Sequence, residues 1–197
     1  MDAAKVGIEE TIRTRRTIRD FNGEPMNQEE VIKLLEDAVW AHFHSAREPW
    51  RFILFMGEGR RTFAEAVART LSKEMIEKYG EWGMKQYCEL MQAHLLVVIE
   101  ADPRQKQFED AFSASAALIQ NLQLLAWDRG IGVVWKTNDY NWDPKFLESV
   151  GVKAGERVVG TLHLGYFDES KVPRPKRRTP VEDLLTIHQE YSHTSHE

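Results

Sequence analysis

The chain has 197 residues, 42% of them hydrophobic, which is enough to bury one sizeable core and calls for no second domain, so residues 1–197 read as a single unit. A net charge of −5 argues against a general polyanion binder, and apolar runs such as Leu95 to Ile99 are far too short to cross a bilayer. Cys88 is the only cysteine, which excludes an intrachain disulfide and a Cys-x-x-Cys pair, and Met1 to Glu10 lacks the apolar stretch of a secretory signal, so export is not expected and a reducing, cytoplasmic setting is.

Residues 5–15 read as a first helix, with Ile8 and Ile12 on one face. Asn27 offers an N-cap and Glu30 the N3 partner of a capping box, opening a helix that carries Val31, Leu34, Leu35, Ala38 and Val39. Trp50 to Met56 is aromatic and β-branched enough for a strand ended by Gly57-Glu58-Gly59, and residues 60–79 return to helical periodicity. Leu95 to Ile99 predicts a strand buried on both faces. Phe108 to Arg129 is the longest predicted helix, with Gly130 as its C′ residue; its apolar surface requires protein all round, from a core or a subunit seam. Ile131 to Lys136 predicts a strand, Asp143-Pro144 a short helix with proline at N1, and Arg157 to Tyr166 a further strand. Prolines at 173 and 175 remove donors from any central ladder, so residues 172–191 are expected as an extended arm and short helix, with 192–197 frayed. Helices interleaved with about four or five strands make an α+β domain.

Positive charge is unevenly placed: Arg13, Arg15, Arg16 and Arg19 crowd one stretch, and Arg174, Lys176, Arg177 and Arg178 another. In Arg15-Arg16-Thr17-Ile18-Arg19, alternate positions of an extended chain put two guanidiniums and a hydroxyl on one side, a face that matches a phosphate. Alone, the first stretch reads equally as a solvated basic turn, and Lys176 to Pro180 reads more readily as a solubilising or RNA-touching surface run. In a chain that is acidic elsewhere, convergence of both on one small anion is the more economical account.

At this point the residues resemble the FMN-dependent nitroreductases, in order and along nearly the whole chain. Arg15 to Phe21 is similar to the family's opening Arg-x-Ser-x-Arg-x-Phe, with Thr17 for the usual serine. Trp40 to Phe52 resembles its Ala-Pro-Ser-x-x-Asn-x-Gln-Pro-Trp-x-Phe segment, departing at His42, Ala46 and Glu48. Ile119 to Ala126 and Gly130 to Thr137 resemble the central dimer helix and the strand beside the flavin, and Lys176 to Pro180 the closing Lys-x-Arg-x-Pro. The resemblance implies a nitroreductase-like α+β fold with a mixed or antiparallel sheet of about five strands, an intertwined homodimer with C-terminal arm exchange, and bound FMN. It places Arg15, Arg16, Thr17, Arg19, Lys176 and Arg178 at the phosphate end, Val134, Trp135, Lys136 and Thr137 along the ring, and Trp40 and His44 across the dimer seam.

The resemblance further implies an NADH- or NADPH-driven ping-pong oxidoreductase for nitroaromatics, quinones or similar small acceptors, with chemistry centred on the flavin and Lys136 as a candidate electrostatic aid. The alternatives are another flavin task on the same fold, such as reductive dehalogenation, and a non-catalytic nucleotide- or RNA-binding protein, against which the acidic balance speaks; no nucleic-acid or membrane partner is expected. Gly130-Ile131-Gly132 follows a helix and lacks a third glycine, so it is no dinucleotide fingerprint. His42 and His44 lack a carboxylate-rich partner motif, so no metal is expected. His188, His193 and His196 read as a polar tail.

Overall fold

The computed structural model describes residues 7–189. A four-stranded sheet forms the centre, from β1 (Trp50–Met56), β2 (Ala93–Glu100), β3 (Gly132–Lys136) and β4 (Glu156–Gly165) in the order β1-β2-β4-β3. Every neighbouring pair is antiparallel. The helices are α1 (Ile8–Thr14), α2 (Gln28–Ala38), α3 (Gly59–Ala68), α4 (Lys73–Lys85), α5 (Gln105–Asp128) and α6 (Pro144–Ser149).

Strand alternation sends side chains to two cores. Leu95, Val97 and Ile99 of β2 meet Leu34 of α2 and Leu118 and Leu122 of α5 on one face. On the other, Leu96 and Val98 meet Phe63 of α3 and Phe146 of α6. Burial on both faces explains why β2 reads as an unbroken apolar run.

The Asn27 capping box forms as expected: Glu29 N–H donates to the Asn27 Oδ1 at 3.1 Å and Asn27 N–H to a Glu30 carboxylate oxygen at 2.9 Å. The other Glu30 oxygen accepts from the Tyr166 hydroxyl at 2.6 Å, tying the start of α2 to the exit of β4. Gly130, with φ of 71°, takes the left-handed conformation that ends α5. Asp143 caps α6, its side chain accepting from Lys145 N–H at 2.8 Å, with Pro144 in the first turn.

Two expectations need correction, the helix over 60–79 and the count of about five strands. Residues 60–79 are not one helix: the chain leaves α3 after Ala68, and Ser72 restarts it as α4 by accepting from Met75 N–H at 3.2 Å, a cap stronger than the continuing periodicity. The sheet has four strands, within the four or five read from the residues and one fewer than the resemblance implies, and the proline-bearing arm pairs with no strand among the described residues, as expected. It is antiparallel throughout, one of the two arrangements expected, and an isolated parallel bridge joins Thr17 to Val133. The short arm helix is a single 3-10 turn, Val181–Asp183. Part of the predicted first helix and the tail at 192–197 lie outside the described residues. A π-helical turn, Gln86–Leu90, which periodicity did not signal, continues α4 toward β2.

One contact fixes the spacing of β3 and β4. A Cβ at Gly160 would lie 1.8 Å from the Trp135 Nε1, so the indole lies directly on the glycine backbone. Gly160→Ala should therefore displace the indole and lower unfolding free energy by about 1–3 kcal/mol, read from chemical denaturation. Wild-type stability in that variant would show that the indole yields freely.

Candidate functional site

Arg15 leaves α1 in an extended conformation, φ −53° and ψ 134°, and the chain then runs along β3. Ile18 N–H donates to the Val133 carbonyl at 3.2 Å. Ile18 is 2% exposed and packs with Phe21, Met91 and Val134, which leaves its neighbours Thr17 and Arg19 pointing away from that cluster. Space for Ile18 exists because residue 132 is glycine: a Cβ there would lie 2.8 Å from the Ile18 Cβ and from a Phe167 ring carbon.

The arginines of this segment divide in use. Arg16 Nη1 donates to the carbonyls of Arg13 at 2.7 Å and Arg15 at 2.8 Å, closing the carboxyl end of α1. Arg15 turns inward, half-buried, and its Nη1 donates to the Gln123 Oε1 at 3.3 Å. Burial, then Arg16, then Arg178 lower its pKa, so the proline-rich arm brings Arg178 within electrostatic reach of Arg15. Two positive neighbours, Arg16 and Arg178, act on Arg15, electrostatics that favour an anion. Arg19 is exposed and lines, with Thr17, Asp20, Phe167 and Lys171, a shallow recess beside the same segment. Lys176 is exposed on the arm.

The four candidates of β3 and its exit do not share one face. Val133 and Trp135 pack toward α2 and α5, whereas Val134 packs on Ile18 and Phe21. Lys136 lies close enough to His163 to disfavour its protonation, which puts that side chain on the α3 face of the sheet. Thr137 is exposed. The Trp135 Nε1 is buried without a hydrogen-bond partner. Trp40, just beyond α2, is 87% exposed, and His44 lines a recess with Phe43, Pro49, Lys106 and Asp110. Among the described residues neither forms a hydrogen bond or ion pair with the arginine cluster. His42 and His44 stand edge to face at 4.7 Å, and no group of three metal-ligating side chains occurs among the described residues.

A family model described as the Nitroreductase family matches residues 12–166. The chain belongs to that family. A relative named as an NAD(P)H nitroreductase, YfhC of Bacillus subtilis (strain 168), is 36% identical over 184 residues, 91% of this chain and 93% of its own. The crystal structure of a nitroreductase-like family protein from Bacillus cereus superposes with a TM-score of 0.90 at 38% identity, covering 96% of this chain and all of that one. A further structure, a Desulfovibrio desulfuricans nitroreductase in complex with FMN, shares the fold at 20% identity with a TM-score of 0.71, over 95% and 99% of the two chains.

This nitroreductase-family chain also buries a polar network that periodicity did not reveal. His94 and His163 face each other across β2 and β4, Nδ1 to Nδ1 at 2.8 Å. His94 Nε2–H must donate to the Tyr87 carbonyl, 2.8 Å away, because a carbonyl only accepts. Its Nδ1 is then a bare acceptor, so His163 Nδ1–H is the donor, and His163 Nε2 faces the Tyr140 hydroxyl at 3.5 Å as an acceptor. Phe63 stacks on His94 at 4.3 Å. Burial, with Arg60 adding to it, depresses the pKa of His94 to about 3 against the bond to Tyr87, and burial, His94 and Lys136 push His163 well below its ordinary value. Both are neutral in the fold. Gln123 is a further buried polar group, and a lone amide beside Ile119, Leu122 and Ala126 in a helix face that is otherwise core is a legible signal.

Proposed function

We propose that this chain is an FMN-dependent oxidoreductase that takes electrons from NADH or NADPH and passes them, in ping-pong fashion, to a nitroaromatic, quinone or similar small organic acceptor. The observation that carries this reading is the half-buried Arg15, held by the neutral Gln123 amide and within electrostatic reach of Arg178 on the proline-rich arm. Such a donor set fits a phosphate monoester, and the FMN held by the Desulfovibrio desulfuricans relative is the flavin that bears one.

In this reading Arg15, Thr17 and Arg178 hold the phosphate, with Arg16, Arg19 and Lys176 around it. Backbone groups from Val134 to Thr137 run along the ring, and Lys136 supplies a cation at the end of that strand. When bound, FMN supplies the hydride and electron chemistry. The protein fixes its position, screens it from water and leaves one open slot for donor and acceptor in turn, from which ping-pong kinetics follow. The functional unit is a homodimer with exchanged C-terminal arms, in which Trp40 and His44 reach the partner's site. Exposed Ile8, Ile12 and Trp40, and Val181, Leu184, Leu185 and Ile187 on the arm, give it apolar surface to bury. No helix among the described residues is long and apolar enough to cross a membrane, and the single cysteine accords with work in the cytoplasm.

Purified protein should be yellow, release FMN on denaturation, and give parallel double-reciprocal lines when donor and acceptor are varied. A colourless protein that takes up no added FMN would overturn the reading.

A further inference from the structure

We propose that Gln123 is a positioning residue for the cofactor phosphate, a buried neutral acceptor that aims the Arg15 guanidinium without cancelling its charge. The inference rests on the FMN reading above and gives a role in it to a residue of the Ile119 to Ala126 helix segment that lies outside both basic clusters. Gln123 is 6% exposed, on the face of α5 that carries Ile119, Leu122 and Ala126 into the core. An amide so placed must find a partner, and the one it finds is Arg15, at 3.3 Å. Because a guanidinium only donates, the carbonyl end of the amide faces it.

The bond engages one N–H of Arg15 and leaves the rest of the donor fork free. This matters because Arg16 and Arg178 both repel Arg15, and an arginine side chain has many rotamers into which repulsion can push it. The amide holds the guanidinium against that push. A carboxylate in the same position would hold it too, but would form an ion pair with it and compete with the phosphate for the same N–H groups. A neutral acceptor is therefore the group that fixes direction and preserves full charge.

The test compares FMN with riboflavin, which has the same ring and ribityl chain but no phosphate, by titrating each into flavin-stripped, full-length protein and following flavin fluorescence. Gln123→Met keeps length and loses the acceptor; it should weaken FMN about three- to tenfold and riboflavin less than about twofold. Gln123→Glu should weaken FMN by about tenfold or more, again sparing riboflavin. A purely structural role would weaken both flavins alike. An FMN-to-riboflavin affinity ratio unchanged from the parent in Gln123→Glu overturns the proposal, and that variant decides alone if Gln123→Met does not fold. Arg15→Ala and Arg178→Ala separate the two levels. If they lower the ratio while the Gln123 variants do not, only this inference fails; if none of the four lowers it, the phosphate site itself falls.

Discussion

Taking the protein from pH 7 to pH 5 should remove about 4 kcal/mol of folding stability, more than half of it below pH 6. The cause is the buried pair His94 and His163, whose folded-state pKa values are depressed while the unfolded chain titrates near the ordinary value of 6.5. Above that value both states are neutral and the pair has no pH dependence. As the pH falls through it, the unfolded chain takes up two protons that the fold refuses, and stability drops by roughly 3 kcal/mol per pH unit until the folded histidines titrate. For His94 that limit is about 3. The depressed carboxylates Asp102, Glu156 and Asp168 lose their contributions only at lower pH, as they protonate toward and through their folded-state values. Denaturant unfolding at fixed protein concentration, at pH 7, 6 and 5, measures the slope. In the double variant His94→Leu and His163→Leu the slope should flatten, whatever happens to absolute stability. A wild-type curve that is level between pH 7 and 5 would mean that the pair is protonated, or reached by water, in the folded state.

The second large effect concerns flavin retention. Arg15→Ala or Arg178→Ala each removes a charge-assisted contact of about 1.5–3 kcal/mol, so FMN affinity should fall roughly ten- to a hundredfold. Riboflavin affinity should barely change. The double variant should lose less than the product of the two single losses, because each alanine also relieves the repulsion the other arginine felt. Full FMN retention in both single variants would remove the phosphate from this place.

Local chemistry made much of the fold legible. The capping box at Asn27, the glycine after α5 and the proline opening α6 are written within a few residues of the elements they bound. The break between α3 and α4 was hidden because a serine cap inside a periodic stretch does not interrupt the pattern. The proline-bearing arm was legible as a segment that joins no ladder, and none of its described residues pairs with a strand. At the candidate site both basic stretches stand out by composition, whereas Gln123 meets Arg15 only through the packing of α1 on α5. The histidine pair depends on a β2 to β4 register that no short window contains.

Ile18 gives the site an unexpected dependence. The arginine strap lies along β3 by one backbone bond and by a side chain seated where Gly132 leaves room. In the proposed reading, the placing of Arg15 and Arg19 thus depends on an aliphatic side chain between them that itself carries no charge. Selection on this protein's ligand affinity can act through aliphatic shape at positions 18 and 132 while every ligand-facing group stays the same.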